Sequence, residues 1–233
     1  MSVLEKTFKV LGNVKVRKMK LNSGLLKVAA CFVDYESEHL PPDSRIVEDS
    51  YVFSKLLGMK PCRVLDVGCV ARHNYISPSL AMNGWDVYGM DIRSEWHFHH
   101  PNFIFVQADV TKSGLGDEMF DVIICISTME HIGLVGYYGN SVEDKDGDTK
   151  AMVEMCRLLR KRGVLLLTVP YCGHYFDRQG TRVYDMNRLQ RLTNGKFNVG
   201  SEVVYLQDKK GNWDIADEKI DREGVICLEM VKI

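Results

Sequence analysis

The apolar run Arg63-Val64-Leu65-Asp66-Val67 ends on Gly68 and Cys69. A glycine at that position lets the backbone come close to a ligand, and Asp66 can hold the turn by accepting backbone N–H bonds. Asp91, followed by Ile92, comes 25 residues after Asp66 and directly after Val87-Tyr88-Gly89-Met90. That interval is near the one at which a βαβ unit brings an acid to the two hydroxyls of a ribose, and a carboxylate can accept from both. Asp109 closes a third run, Phe103-Ile104-Phe105-Val106-Gln107-Ala108. Its carboxylate suits an adenine amino group, while the Val110 N–H can donate to the ring. A fourth run leads into Ser127-Thr128-Met129-Glu130-His131. His131, with an ordinary pKa near neutrality, is the first candidate for a general base and Glu130 the second. The other role open to this pair is to orient the loop or cap the following turn.

The elements around these residues alternate. The pattern predicts a helix over 48–57 closed by Gly58, a strand over 63–67, a helix over 76–83, and strands over 86–90, 103–107 and 121–126. A helix over 149–161, capped by Asp148 or Thr149 and ended by Gly163, leads to a strand over 164–169. The runs at 121–126 and 164–169 lack polar alternation, as parallel strands covered on both faces do. Two further strands, 199–206 and 224–232, are joined by a polar loop over 207–223 and fit an antiparallel hairpin. The fold expected is α/β, a doubly wound sheet that presents its ligand beyond the carboxyl ends of its strands. Residues 1–47 are expected to form an extension packed on a domain of 48–233.

At 233 residues and 45% hydrophobic composition the chain suits one domain with a large core. A net charge of −1 supplies no global field toward nucleic acid or an anionic membrane. Lysine and arginine nevertheless crowd residues 6–27, a local bias that a solvated face explains more economically than a phosphate-bearing partner. The seven cysteines are scattered without a CxxC pair and read as free thiols. No apolar stretch is long enough for a membrane span or a secretory leader, so a cytoplasmic location is expected.

The segments at 64–69, 87–93, 105–109, 120–131 and 158–170 together resemble the class I S-adenosylmethionine-dependent methyltransferases, and most closely their broad "type 11" small-molecule group. The resemblance implies a Rossmann-like, seven-stranded, mostly parallel sheet in the order 3-2-1-4-5-7-6, with the last strand antiparallel. It also implies S-adenosylmethionine as cofactor, with Gly68 at its methionine portion, Asp91 at the ribose and Asp109 at the adenine; Asp66, Cys69, Ile92, Val110 and Ser127 complete the expected binding set. Where the family has a second glycine, this chain has Val70, whose Cβ is expected to narrow the loop.

Methyl transfer from a sulfonium is an in-line displacement, so the protein aligns two reactants and takes a proton from a protic acceptor. The acceptor expected is an oxygen or nitrogen on a small molecule or glycan, held by the aromatic and glycine-rich loops 133–139 and 171–177. Methylation of RNA through the basic amino-terminal segment, and cofactor binding without catalysis, are the alternatives. No metal is expected: Glu130-His131 resembles the metal-binding Glu-x-x-Glu-His pattern of small-RNA 2′-O-methyltransferases, but the first Glu position is Ser127 here, which removes a charged ligand. His97, His99 and His100 are assigned to solvent or lid contacts.

Overall fold

The structure is a computed structural model that describes residues 43–70, 75–135, 143–178, 180–216 and 222–233. The basic amino-terminal segment, and the expectation that it packs on the domain, lie outside the described residues.

Helix α1 (Arg45–Leu56) starts three residues earlier than its periodicity suggests, because Arg45, Ile46 and Val47 belong to it. Its buried stripe is Glu48, Tyr51, Val52 and Leu56, an i, i+3, i+4, i+8 pattern. After it come β1 (Arg63–Val67), α2 (Ile76–Met82), β2 (Asp86–Asp91), β3 (Phe103–Gln107) and β4 (Phe120–Ile126). The second half holds α3 (Gly147–Leu158), β5 (Leu159–Tyr171), β6 (Phe176–Arg178), β7 (Thr181–Val183), α4 (Met186–Thr193), β8 (Phe197–Gln207), β9 (Trp213–Ile215) and β10 (Gly224–Lys232).

The main sheet runs β3-β2-β1-β4-β5-β10-β8-β9. Strands β1 to β5 are parallel, and β10 pairs antiparallel with both β5 and β8. These are the seven expected strands in the expected order, with the terminal hairpin in place. The eighth, β9, forms on the outer edge from residues assigned by sequence to a loop; Tyr205, Leu206 and Gln207 pair with it. A separate two-stranded sheet, β6 and β7, was likewise not foreseen, nor was α4.

Successive strand residues point to opposite faces. Leu65, Val67, Ile123, Cys125, Leu165 and Leu167 pack against α3 and α4 in one apolar cluster. Val64, Val122, Ile124 and Leu166 pack against α1 and α2 in the other. The doubly wound arrangement follows from this two-sided burial.

Two boundary expectations are corrected. Helix α3 does not run to Gly163: its C-cap, Leu159, is already extended (φ −72°, ψ 140°), and the chain enters β5 directly. Leu159 is buried against Phe120, while the pairing between β4 and β5 shifts before Val122 meets Val164. Arg162, at φ 64°, and Gly163 turn the chain through that bulge. Nor do Asp148 or Thr149 cap the helix. The N-cap is Asp146, and Asp148 is fully buried between Arg182 and Arg188 instead.

Candidate active site

The carboxyl ends of β1 to β4 converge on a cleft holding about 920 Å³ of empty space that opens to solvent. Gly68, Asp91, Ile92, Asp109, Val110, Ser127 and His131, all singled out by sequence, line it; Asp66, Cys69 and Glu130 do not.

Gly68 turns with φ +80°, and a Cβ on it would stand 2.6 Å from Thr128 Cγ2, closer still to Oγ1. Thr128 is held there by its hydroxyl, which donates to the Ile126 carbonyl at 2.9 Å. The loops after β1 and β4 therefore touch across the cleft floor only because position 68 lacks a side chain. Asp66 stands behind this floor, accepting from the Ser77 hydroxyl of α2 at 2.7 Å. Cys69 is buried under Gly89, and desolvation pushes its thiol far above the ordinary range, so it supplies packing and no nucleophile. The Val70 side chain stays out of the cleft lining; its N–H donates to Asp91 Oδ2 at 3.0 Å, so this position contributes through its backbone.

Asp91 is closely engaged. Oδ1 accepts from the Arg93 N–H at 3.0 Å and from Nε at 2.9 Å, while Oδ2 accepts from Arg93 Nη2 at 2.9 Å and from Val70. All four lone-pair positions of the carboxylate are thus occupied. Asp109 caps the 3₁₀ turn Val110–Lys112, accepting on Oδ1 from the N–H and hydroxyl of Thr111 at 2.8 and 2.9 Å.

The loop after β4 carries the reactive candidates. Ser127 has a left-handed backbone, φ 38°, and its N–H donates to both the carbonyl and the hydroxyl of Thr168 on β5. Met129–His131 form one 3₁₀ turn. His131 Nδ1 lies 2.9 Å from the Gly180 carbonyl, and Nε2 lies 3.8 Å from Glu130 Oε1. Burial, together with the charges of Arg45 and Arg182, holds the imidazole below its usual 6.5. Glu130 is 2% exposed, and desolvation drives its carboxyl up to about 8, so this group is mostly protonated at neutral pH.

Several participants escaped the sequence reading. Arg45 lines the cleft from α1, donating to the Ile126 carbonyl at 3.1 Å. Glu48, three residues on, occupies an apolar-stripe position of the same helix, which is the signal that could have marked it. Arg182 is 1% exposed and donates to the carbonyls of Ile132 at 2.7 Å and Lys145 at 3.1 Å. It fixes the two ends of the segment whose Ile132, Gly133 and Asp144 line the cleft. Of the two proposed acceptor loops, 133–139 lines the cleft through Gly133, with 136–139 outside the described residues, and 171–177 does not line it; the β6–β7 hairpin approaches as well, through Gly180. His97 and His99 are exposed, and His100 accepts from the Asn102 N–H. Among the described residues no group of three His, Cys, Asp or Glu side chains converges as a metal site, and the six cysteines there are free thiols.

Residues 65–167 match a family model described as "Methyltransferase domain". Over that span the chain is similar to the methyltransferase domains of this family. No curated protein sequence matches it. Among solved structures, the chain is similar in fold to Burkholderia thailandensis 1,6-didemethyltoxoflavin-N1-methyltransferase, with 14% identity, 93% of each chain covered and a TM-score of 0.54. It is also similar to a SAM-dependent methyltransferase from Archaeoglobus fulgidus, at 13% identity over 82% of this chain and 95% of that one, TM-score 0.58. The [4+2]-cyclase SpnF shares the architecture too, at 13% identity over 84% of each chain, TM-score 0.55.

Proposed function

We propose that this protein transfers a methyl group from S-adenosylmethionine to an oxygen or nitrogen of a small molecule or glycan. The observation that carries the reading is the convergence of Gly68, Asp91, Asp109 and His131 on one cleft at the strand ends. The residues present fit the cofactor: Gly68 lines the cleft with no side chain to obstruct it, and Asp109 Oδ2 has no partner among the described residues. Asp91 would take the ribose once Arg93 yields, Asp109 and Val110 the adenine, and Gly68 with Ser127 the methionine portion. The bound cofactor supplies an electrophilic methyl group on a sulfonium.

The protein's own part is alignment and proton removal. The Nδ1–H of His131 donates to the Gly180 carbonyl, which leaves Nε2 as the acceptor. Since burial keeps the ring neutral, Nε2 is ready to take a proton from a hydroxyl or ammonium beside it. A small acceptor agrees with the Burkholderia neighbour, whose acceptor is 1,6-didemethyltoxoflavin.

Calorimetry with S-adenosylmethionine, followed by turnover of a panel of sugars and heteroaromatics, tests the reading. His131→Ala is expected to lower kcat about 100-fold with cofactor affinity nearly unchanged. Undiminished turnover in that variant sinks the base assignment, and absence of cofactor binding to the parent sinks the whole reading.

A further inference from the structure

The turn that carries His131 is too short to hold itself. Met129–His131 is a single 3₁₀ turn whose N-cap, Thr128, makes no side-chain capping bond, and its closing bond, from the Ile132 N–H to the Met129 carbonyl, is long at 3.3 Å. The grip comes from alternate residues along β7. Just before the strand, the Gly180 carbonyl lies 2.9 Å from His131 Nδ1. Within it, Arg182 Nη1 donates to the Ile132 carbonyl at 2.7 Å. Just after it, the Tyr184 hydroxyl faces the Met129 carbonyl at 3.4 Å. The ring, the exit and the entry of the turn are thus held from one stretch of chain. Alternation along the strand sends Arg182 and Tyr184 to the same side, where both reach the fully buried Asp148: the Tyr184 hydroxyl at 3.3 Å and Arg182 Nε at 3.8 Å. Arg188 Nη2 closes the other side of that carboxylate at 2.7 and 2.8 Å.

We propose that Arg182, Tyr184 and Asp148 are positioning residues that fix the place and the tautomer of the His131 ring, a role that rests on His131 as the base. A carbonyl only accepts, so the Gly180 oxygen requires the proton on Nδ1 and makes Nε2 the basic nitrogen. The Thr181 hydroxyl stands 3.4 Å from the same Nδ1 and can donate to it, which would leave the ring proton on Nε2 instead. Which neighbour prevails depends on the register of β7 against the turn. Arg182 sets that register with a fork: Nη1 on the Ile132 carbonyl and Nη2 on the Lys145 carbonyl at 3.1 Å, so the strand cannot slide without losing one of the two bonds. Asp148 aims the fork from behind, and Tyr184 ties the entry of the turn to the same carboxylate.

The surroundings suit positioning better than bulk packing. A Cβ on Gly147 would stand 2.5 Å from the Ile132 carbonyl oxygen, so the missing side chain there keeps that carbonyl open to Arg182. The gripping stretch is itself anchored to the main sheet: the Tyr184 N–H donates to the Pro170 carbonyl at 2.9 Å, and the Tyr184 carbonyl accepts from the Cys172 N–H at 2.8 Å. The ring therefore takes its place from β5 rather than from the loop that carries it. Arg182, 1% exposed, directs both terminal nitrogens at backbone carbonyls. A buried ion pair is weak support for stability, because desolvation offsets its attraction, whereas a planar fork fixes direction. The Arg182 charge also helps to keep the ring neutral.

Nitrogen-15 NMR of the His131 ring in the protein alone, at neutral pH, reads the tautomer directly. The parent is expected to carry the ring proton on Nδ1. Arg182→Lys keeps the charge and loses the fork; it is expected to move the nitrogen shifts toward the Nε2–H form and to lower kcat about tenfold, with KM and the Kd for S-adenosylmethionine within about twofold of the parent. Tyr184→Phe removes a single hydroxyl, so it reports even where Arg182→Lys fails to fold. It is expected to move the shifts the same way by less and to lower kcat about threefold, since both of its hydrogen bonds are long. A parent protonated on Nε2, or shifts unchanged in both variants, overturns the proposal. So does a Kd that weakens in step with kcat, the mark of a merely structural role. Parent-like turnover in His131→Ala refutes the base instead, and the NMR spectrum, recorded without cofactor or acceptor, separates the two failures.

Discussion

Gly68→Ala isolates the contact that closes the cleft floor. The backbone at φ +80° disfavours any L side chain by about 1–2 kcal/mol. The new Cβ would lie 2.6 Å from Thr128 Cγ2 and 2.9 Å from its Cβ, and Thr128 is not free to swing while its hydroxyl holds the Ile126 carbonyl. Crowding of that kind costs about 1–3 kcal/mol more, giving about 2–5 kcal/mol in all. Urea denaturation of the variant should show that loss. Calorimetry with S-adenosylhomocysteine should show a Kd raised about tenfold or more, because the displaced Thr128 lines the same cleft. Adding Thr128→Gly should return the crowding part and leave the backbone part, a coupling a double-mutant cycle reads directly. A Gly68→Ala protein within about 0.5 kcal/mol of the parent, binding as tightly, would refute the reasoning.

Arg93→Ala should tighten cofactor binding several-fold, because Asp91 has no lone pair to offer a ribose while Arg93 holds it; calorimetry checks this, and weaker binding would show that Arg93 serves the ligand. Glu130 and Asp49 each bind a proton more tightly folded than unfolded, rising from 4.5 to about 8 and from 3.8 to about 7, chiefly through burial. Stability from these groups is therefore complete at about pH 4 and is lost as pH rises through 7 and 8. For Glu130 the full span is about 5 kcal/mol, so Glu130→Gln should flatten denaturation midpoints between pH 5 and 9. An unchanged slope would contradict its burial as a neutral acid.

The strand-end residues were legible because the doubly wound topology dictates where ligands meet it: Gly68, Asp91, Asp109 and His131 each follow an apolar run, and the cleft gathers all four. Asp66 and Cys69 flank Gly68 in sequence but turn into the protein, where Asp66 accepts from Ser77 of α2 and Cys69 packs under Gly89. Val70 stood out as a missing glycine, yet its N–H serves Asp91 and the side chain lies outside the cleft lining; residue type alone does not separate those two contributions. Glu48 and Arg182 were illegible for a different reason. Their partners, Thr168 and Ile132, stand 120 and 50 residues away, and no local pattern encodes such a pairing. The end of α3 was misplaced because Leu158 and Leu159 continue a helical stripe, whereas Leu159 is spent on the sheet.

The span that matches the methyltransferase family model, 65–167, starts after α1 and ends before β7. Arg45, Glu48 and Arg182 all fall outside it. Recombination that moved only the matched span into a foreign chain would transplant Gly68, Asp91, Asp109 and His131 while leaving behind Arg45, which lines the cleft, and Arg182, which ties down both ends of the segment beside it. The strand-end half of the cleft is portable as a cassette; the residues that brace the rest of it belong to the flanks, where a lineage can rewrite them without disturbing the strand ends.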